Sequence, residues 1–103
     1  MASTLDRRLE LHALLEEICD YVKFSPPTGF KLKYPCIVYE RANNQTEYAN
    51  GKPYIVETRY TVTVIDPDPD SEIVPKLEHF PKCTYDTHFI SDNLNHDVFT
   101  IFY

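Results

Sequence analysis

Three aspartates alternate with two prolines at Asp66, Asp68 and Asp70, which is the spacing of the first oxygen ligands in a calcium-binding loop. Such a loop has a glycine at its sixth position and a glutamate at its twelfth, whereas this chain has Ser71 and Leu77 there. The prolines also stiffen the segment. We therefore predict a turn that ends a strand and caps the following helix, with its carboxylates near the positive end of the helix dipole.

Histidines are the next residues that could hold a metal. His79 and Cys83 lie four residues apart, and His88 and His96 follow further along the chain. A zinc site normally has two closely spaced pairs of ligands, and Pro81 interrupts the nearest pair here. Packing or surface positions are the interpretation we adopt, and no metal-binding residue is predicted.

The chain has an odd number of cysteines, Cys19, Cys36 and Cys83, and no two of them are close in the sequence. This pattern favours free, mostly buried thiols in a reducing cytoplasm over a disulfide framework. No turn of small residues frames any of them, so a small cysteine-dependent enzyme stays only as an alternative. Glycine occurs at Gly29 and Gly51 alone, which leaves no phosphate-binding loop. We predict no catalytic residue, no cofactor and no enzyme.

The bulk composition predicts a single domain over residues 1–103. Hydrophobic residues make up 43% of the chain, with eight tyrosines and six phenylalanines, which exceeds what a disordered chain contains. A net charge of −6 repels phosphate backbones, so specific nucleic-acid binding is not expected. The polar segment Met1–Arg8 lacks the apolar core of a secretory signal, and no apolar run approaches the about 18 residues of a membrane span.

An amphipathic helix is predicted at the start of the chain, from a cap at Thr4 or Asp6 to about Val22. Pro26 and Pro27 would end any continuation. Its apolar stripe repeats at three- and four-residue steps and consists of Leu11, Leu14, Leu15, Ile18, Cys19 and Val22.

Four strands and a second short helix are predicted after it, from period-two alternation and turn residues. The fold class is α+β: an antiparallel sheet with both helices packed on it, in the order α-β-β-α-β-β. The last strand is apolar on both faces, so we expect it to be central or covered by a partner. The predicted strands are Cys36–Arg41, Pro53–Ile65, Thr84–Ile90 and Asp97–Tyr103, and the second helix is Ser71–Phe80.

A polar hairpin arm is predicted at Asn43–Lys52, closed by the turn residues Asn50 and Gly51. An arm with so little apolar content has no core of its own. It is either a mobile tip or an arm that folds against a neighbouring subunit. Tyr48, an aromatic residue in this polar setting, favours the second interpretation.

Five stretches carry a resemblance to a known family: RLELHxLL at Arg8–Leu15, YPCIVY at Tyr34–Tyr39, NxxPY at Asn50–Tyr54, RYxVTVIDxDPDS at Arg59–Ser71 and DNLNHDVF at Asp92–Phe99. They resemble small tail proteins of long-tailed, siphovirus-type bacteriophages, known as tail terminator, tail completion or minor tail proteins. The resemblance extends from about Arg8 to Tyr103.

This resemblance implies a structural protein that forms a ring, typically a hexamer, at the head-proximal end of the tail tube. The ring would end polymerisation of the major tail tube protein and dock the head-completion connector protein, in a virion assembled in the host cytoplasm. DNA would pass through an acidic lumen without specific binding. A head-closure or adaptor protein of the head–tail connector is the nearest alternative, and a monomeric regulatory domain is a further one.

Within such a ring we expect neighbours to extend their sheets through the strand Cys36–Arg41 or the C-terminal strand. The polar arm and the Asp66–Ser71 turn are expected to make contacts along the axis. The candidate subunit contacts are Tyr39, Arg41, Tyr48, Arg59, Asp66, Asp68, Asp70, Phe99, Ile101 and Tyr103.

Overall fold

The computed structural model describes residues 4–42, 45–49 and 52–103, with side chains for residues 5–42 and 58–103. Five strands form one mixed sheet in the order β1-β2-β5-β7-β6, and β3 with β4 forms a separate two-stranded sheet. The elements are α1 (Thr4–Ile18), β1 (Val22–Phe24), β2 (Cys36–Arg41), β3 (Gln45–Ala49), β4 (Lys52–Glu57), β5 (Arg59–Asp66), α2 (Ile73–Glu78), β6 (Cys83–Ser91) and β7 (Leu94–Phe102).

Both helices contribute to one hydrophobic core against the sheet. Helix α1 supplies Leu11 and Leu15, and Cys19, directly after its last residue, continues the same four-residue spacing. Successive strand residues point to opposite faces, so alternate residues of the strands complete the core. The strand and α2 members are Val22, Ile37, Tyr39, Tyr60, Val62, Val64, Ile73, Leu77, Phe99 and Ile101. Leu14, predicted to share the buried stripe, is exposed.

The α+β class is confirmed, but the element order is α-β-β-β-β-β-α-β-β and the sheet is not wholly antiparallel. Strand β1 pairs in parallel with β2, with Val22 opposite Ile37. The prediction that α1 continues to Val22 was therefore wrong. Pairing with β2 gives one side of Val22–Phe24 its backbone hydrogen bonds and accompanies burial of the Val22 side chain in the core.

The predicted long strand Pro53–Ile65 is two strands, β4 and β5, which belong to different sheets. Thr58 lies between them and exchanges two backbone hydrogen bonds with Tyr103 instead of continuing either strand. Within β5 the predicted alternation is confirmed, because Tyr60, Val62 and Val64 are buried on the core face.

Helix α2 is shorter than predicted. It begins after Glu72, not at Asp70 or Ser71, and no side chain caps it. Ser71 instead accepts a hydrogen bond at Oγ from the Ile73 amide at 3.2 Å. At the other end the Phe80 amide bonds to the Leu77 carbonyl at 2.9 Å in a tight turn, and Pro81 cannot continue a helix.

Strands β6 and β7 form a long hairpin, and β7 is central between β5 and β6, as one of the two predicted alternatives has it. The connection is two residues long, whereas the predicted strand ends leave the six residues 91–96 between the strands. Asp92 and Asn93 adopt positive φ angles of 52° and 62°, which tight hairpin turns require. A bulge at Asp86 shifts the register between Tyr85 and Thr87.

Candidate functional site

Three of the candidate contacts, Tyr39, Phe99 and Ile101, are fully buried at 0% exposure in the core. Their strands are interior: β2 lies between β1 and β5, and β7 lies between β5 and β6. The expectation that one of these two strands extends the sheet into a neighbour was therefore wrong for β7, both of whose edges are paired, and for the part of β2 that pairs with both β1 and β5. The free edges of the five-stranded sheet belong to β1 and β6.

Tyr39 holds α1 onto the sheet. Its hydroxyl lies 2.7 Å from His12 Nδ1 and accepts a hydrogen bond from the Arg8 guanidinium at 3.5 Å. His12 Nε2 lies 3.8 Å from a Glu16 carboxylate oxygen. Burial raises the pKa of the Tyr39 phenol, so its hydroxyl stays protonated at neutral pH. The role of this cluster is structural.

The aspartate turn is also a structural device. Asp66 Oδ1 accepts from the Asp68 amide at 2.8 Å, and Asp68 Oδ1 accepts from the Asp70 amide at 2.9 Å. These are the local turns that aspartate side chains form with the backbone two residues on. Asp66 is buried. Among the described residues, no group of three histidine, cysteine or acidic side chains is placed to hold a metal ion.

Asn95, which sequence reasoning missed, secures this turn from β7. Its side-chain amide donates to the carbonyls of Asp66 and Pro67 at 3.2 and 3.3 Å. His88 Nε2 lies 3.1 Å from Asn95 Oδ1. The signal was available: Asn95 and Asp97 occupy the buried alternation of β7 that Phe99 continues. A buried polar residue in that pattern requires a specific partner.

The remaining candidates lie outside the core. Arg41 is exposed at the end of β2 and Asp70 is exposed in the turn. Arg59 is partly buried, and its buried Nε has no hydrogen-bond partner among the residues that the structure describes. Tyr103 is partly exposed, and its hydroxyl donates to Glu10 Oε2 at 3.0 Å. The Arg7 guanidinium lies over its ring, 4.9 Å from the centroid.

The predicted arm is described only in its backbone. Strands β3 and β4 pair antiparallel, which confirms a hairpin in this part of the chain. The predicted turn at Asn50 and Gly51 and the side chain of Tyr48 lie outside the described residues.

Strand β6 is an exposed edge strand with several apolar side chains. It is nine residues long, eight of them exposed, and contains neither lysine nor proline, although the bulge at Asp86 interrupts its pairing edge. Tyr85, Phe89 and Ile90 are 44%, 47% and 67% exposed. We call Phe89 and Ile90, together with the adjoining turn residue Asp92, the hairpin tip. The alternation of apolar and polar residues indicates which face of a strand is buried, but not where the strand lies in the sheet. The sequence therefore could not predict that β6 is an edge strand.

A groove of about 490 Å³ lies between α1, the end of α2 and the last residues of β7. We call it the helix groove. Among the described residues that line it, the charged side chains are those of Arg7, Lys76, Lys82 and Glu17, and we call these four the charged rim. Its floor is apolar and consists of Leu14, Ile18, Phe80, Pro81, Phe102 and Tyr103.

The cysteines are free, and Cys19 and Cys36 are buried as predicted. Burial raises the pKa of the Cys36 thiol to about 12, with smaller contributions from Cys19 and Asp66. Burial likewise raises the pKa of Cys83 to about 11, assisted by Asp86 and Glu78. Since the thiolate is the nucleophile, neither of these two thiols is activated at neutral pH.

Within the described part of the chain, no helix is both long enough and apolar enough to cross a bilayer. No protein-family model matches this sequence, and neither the curated proteins nor the solved structures contain a match to it.

Proposed function

We propose that this chain is a ring-forming structural protein of a long-tailed bacteriophage tail. It sits at the head-proximal end of the tail tube, ends tube polymerisation and provides the docking surface for the head-completion connector. The observation that carries the proposal is the exposed β6 edge with its apolar side chains. Strand edges that no neighbouring strand covers and exposed apolar side chains are typical of surfaces that bind another protein.

The sequence resemblance supports the same proposal, because its stretches coincide with structural elements. RYxVTVIDxDPDS covers β5 and the aspartate turn, and DNLNHDVF covers the β6–β7 turn and the first part of β7. The residues of these stretches therefore pair strands, form turns and pack in the core. These are the properties that a structural protein needs.

Charge is consistent with a lumen through which DNA slides. Each copy carries −6, so a ring of six copies would carry six times that charge, −36. Like charge repels the phosphate backbone and disfavours adhesion. The high thiol pKa values of Cys36 and Cys83 weigh against the alternative of a cysteine-dependent enzyme that uses either residue.

Deletion of the gene from its phage, followed by electron microscopy of lysates, tests the proposal. Overlong or irregular tails beside unjoined, DNA-filled heads are expected, and the gene supplied in trans should restore joined virions. Tails of normal length beside unjoined heads would assign the protein to the head-closure side instead. Intact virions would refute a role in the head–tail junction.

A further inference from the structure

We infer that the hairpin tip of one copy of this chain occupies the helix groove of a second copy, in a head-to-tail contact. The contact specifies how neighbours in the proposed ring meet, and in that sense it rests on the proposed function. Three properties of the described residues support it: the chemistry of the groove, the chemistry of the tip and their positions at opposite ends of one hairpin.

The helix groove is a local cationic area on an acidic protein. Among the described residues that line it, the basic side chains of Arg7, Lys76 and Lys82 outnumber the carboxylate of Glu17, although the whole chain carries −6. Its floor is apolar, and its volume of about 490 Å³ is in the range of pockets that enclose ligands, roughly 300–1,000 Å³. The chemistry that fits is an apolar segment with a carboxylate beside it.

The hairpin tip has this chemistry. Phe89 and Ile90 are 47% and 67% exposed, and the carboxylate of Asp92 follows them at the turn. Phe89 and Ile90 are consecutive in a strand and project from opposite faces of the hairpin. A groove that receives the tip end-on therefore contacts both side chains, and Asp92 meets the cationic rim.

The hairpin tip of one copy cannot bind in the helix groove of the same copy. Phe102 and Lys82 line the groove at the open end of the β6–β7 hairpin, where Cys83 pairs with Ile101. The tip lies at the closed end, where Ser91 pairs with Leu94. The nine residues of β6 are joined by eight steps of about 3.3 Å each, which separate the two ends by roughly 26 Å.

Complementary surfaces at opposite ends of a subunit generate a heterologous, head-to-tail contact. Such a contact closes into a ring when the rotation between neighbours divides a full turn, and otherwise continues as a filament. The second copy is therefore the occupant to which the geometry points.

The test uses two variants of the full chain. Lys76→Glu reverses a rim charge and disables the groove, and Ile90→Lys disables the tip. Both positions are exposed. Lys31→Glu and Thr87→Lys make the same two changes at exposed positions outside the two surfaces and serve as matched controls. Far-ultraviolet circular dichroism checks that every variant is folded.

Sedimentation velocity up to about 1 mM protein then measures association. We expect the wild type and both controls to self-associate, and each disabled variant to weaken self-association at least tenfold. An equimolar mixture of the two disabled variants retains one intact groove and one intact tip. It should form a heterodimer of twice 12.1 kDa that grows no further.

A monomeric wild type throughout this range would overturn the inference, and so would a mixture that stays monomeric. A Thr87→Lys variant as defective as Ile90→Lys would also overturn it and indicate pairing along the β6 edge. The phage separates this result from the proposed function. Restoration of joined virions by both disabled variants would refute the contact alone, whereas intact virions after gene deletion would refute the function alone.

Discussion

Thr58 and Tyr103 exchange two backbone hydrogen bonds, each 3.0 Å long. The pair marks the point where the chain leaves the β3–β4 sheet and enters β5, and it joins that point to the residue that follows β7. The Ala42 amide bonds to the Arg59 carbonyl at 2.8 Å beside it. The base of the β3–β4 hairpin is thus attached to the five-stranded sheet through backbone groups.

Replacement of Thr58 by proline should destabilise the fold by about 1–3 kcal/mol. Proline has no N–H to donate, so the Tyr103 carbonyl would lose its hydrogen-bond partner. Urea unfolding followed by tyrosine fluorescence measures the change. Thr58→Val keeps the backbone donor and should cost less. Equal losses in the two variants would assign the effect to the side chain.

Removal of the Tyr39 hydroxyl by Tyr39→Phe should cost about 1–2 kcal/mol, because His12 and Arg8 lose a partner at the interface between α1 and the sheet. Tyr34→Phe, at an exposed position, is the matched control and should change stability by less than about 0.5 kcal/mol. Thermal and urea unfolding report both. If Tyr39→Phe leaves the free energy of unfolding unchanged, the contacts of the hydroxyl add no net stability.

Asn95→Leu should destabilise the protein by about 1–3 kcal/mol, since the Asp66 and Pro67 carbonyls lose their donor. Asn95→Asp keeps an acceptor for His88 but loses the amide donor, so it should be comparably unstable. Stability close to wild type in Asn95→Asp would mean that the His88 contact, and not the turn carbonyls, is what matters. The hydrogen-exchange rates of the Asp68 and Asp70 backbone amides measure directly whether the turn stays formed.

Alkaline pH should destabilise this protein, and the buried thiol of Cys36 should contribute to the loss. The pKa of Cys36 rises from 9.0 to about 12 in the folded state, so the unfolded chain releases this proton first. Unfolding therefore becomes more favourable as pH rises above about 9, and the loss of stability continues until about pH 12. Urea unfolding at pH 7 to 11 measures it.

Cysteine variants identify the thiols responsible. Cys36→Ala should flatten this pH dependence, and Cys83→Ala should flatten it less because the pKa of that thiol rises only to about 11. An unchanged slope in Cys36→Ala would exclude Cys36 as its source.

Local sequence patterns determined a good part of this fold. The alternation of Tyr60, Val62 and Val64 predicted the buried face of β5, and the four-residue spacing of Leu11 and Leu15 predicted the buried side of α1. The aspartates and prolines after Ile65 predicted a turn. These features follow from backbone geometry and side-chain polarity within a few residues, so the sequence states them directly.

Tertiary structure alone decided the rest. Whether β2 and β7 are interior, and β6 an edge, depends on pairings between distant segments, and strand alternation contains no information about them. The short strand β1 forms because β2 is there to pair with it, against a helical pattern that extends to Val22. The helix groove collects Arg7, Lys76 and Phe102 from three separate elements. The candidate site therefore emerged only from the assembled sheet, because long-range contacts position its residues.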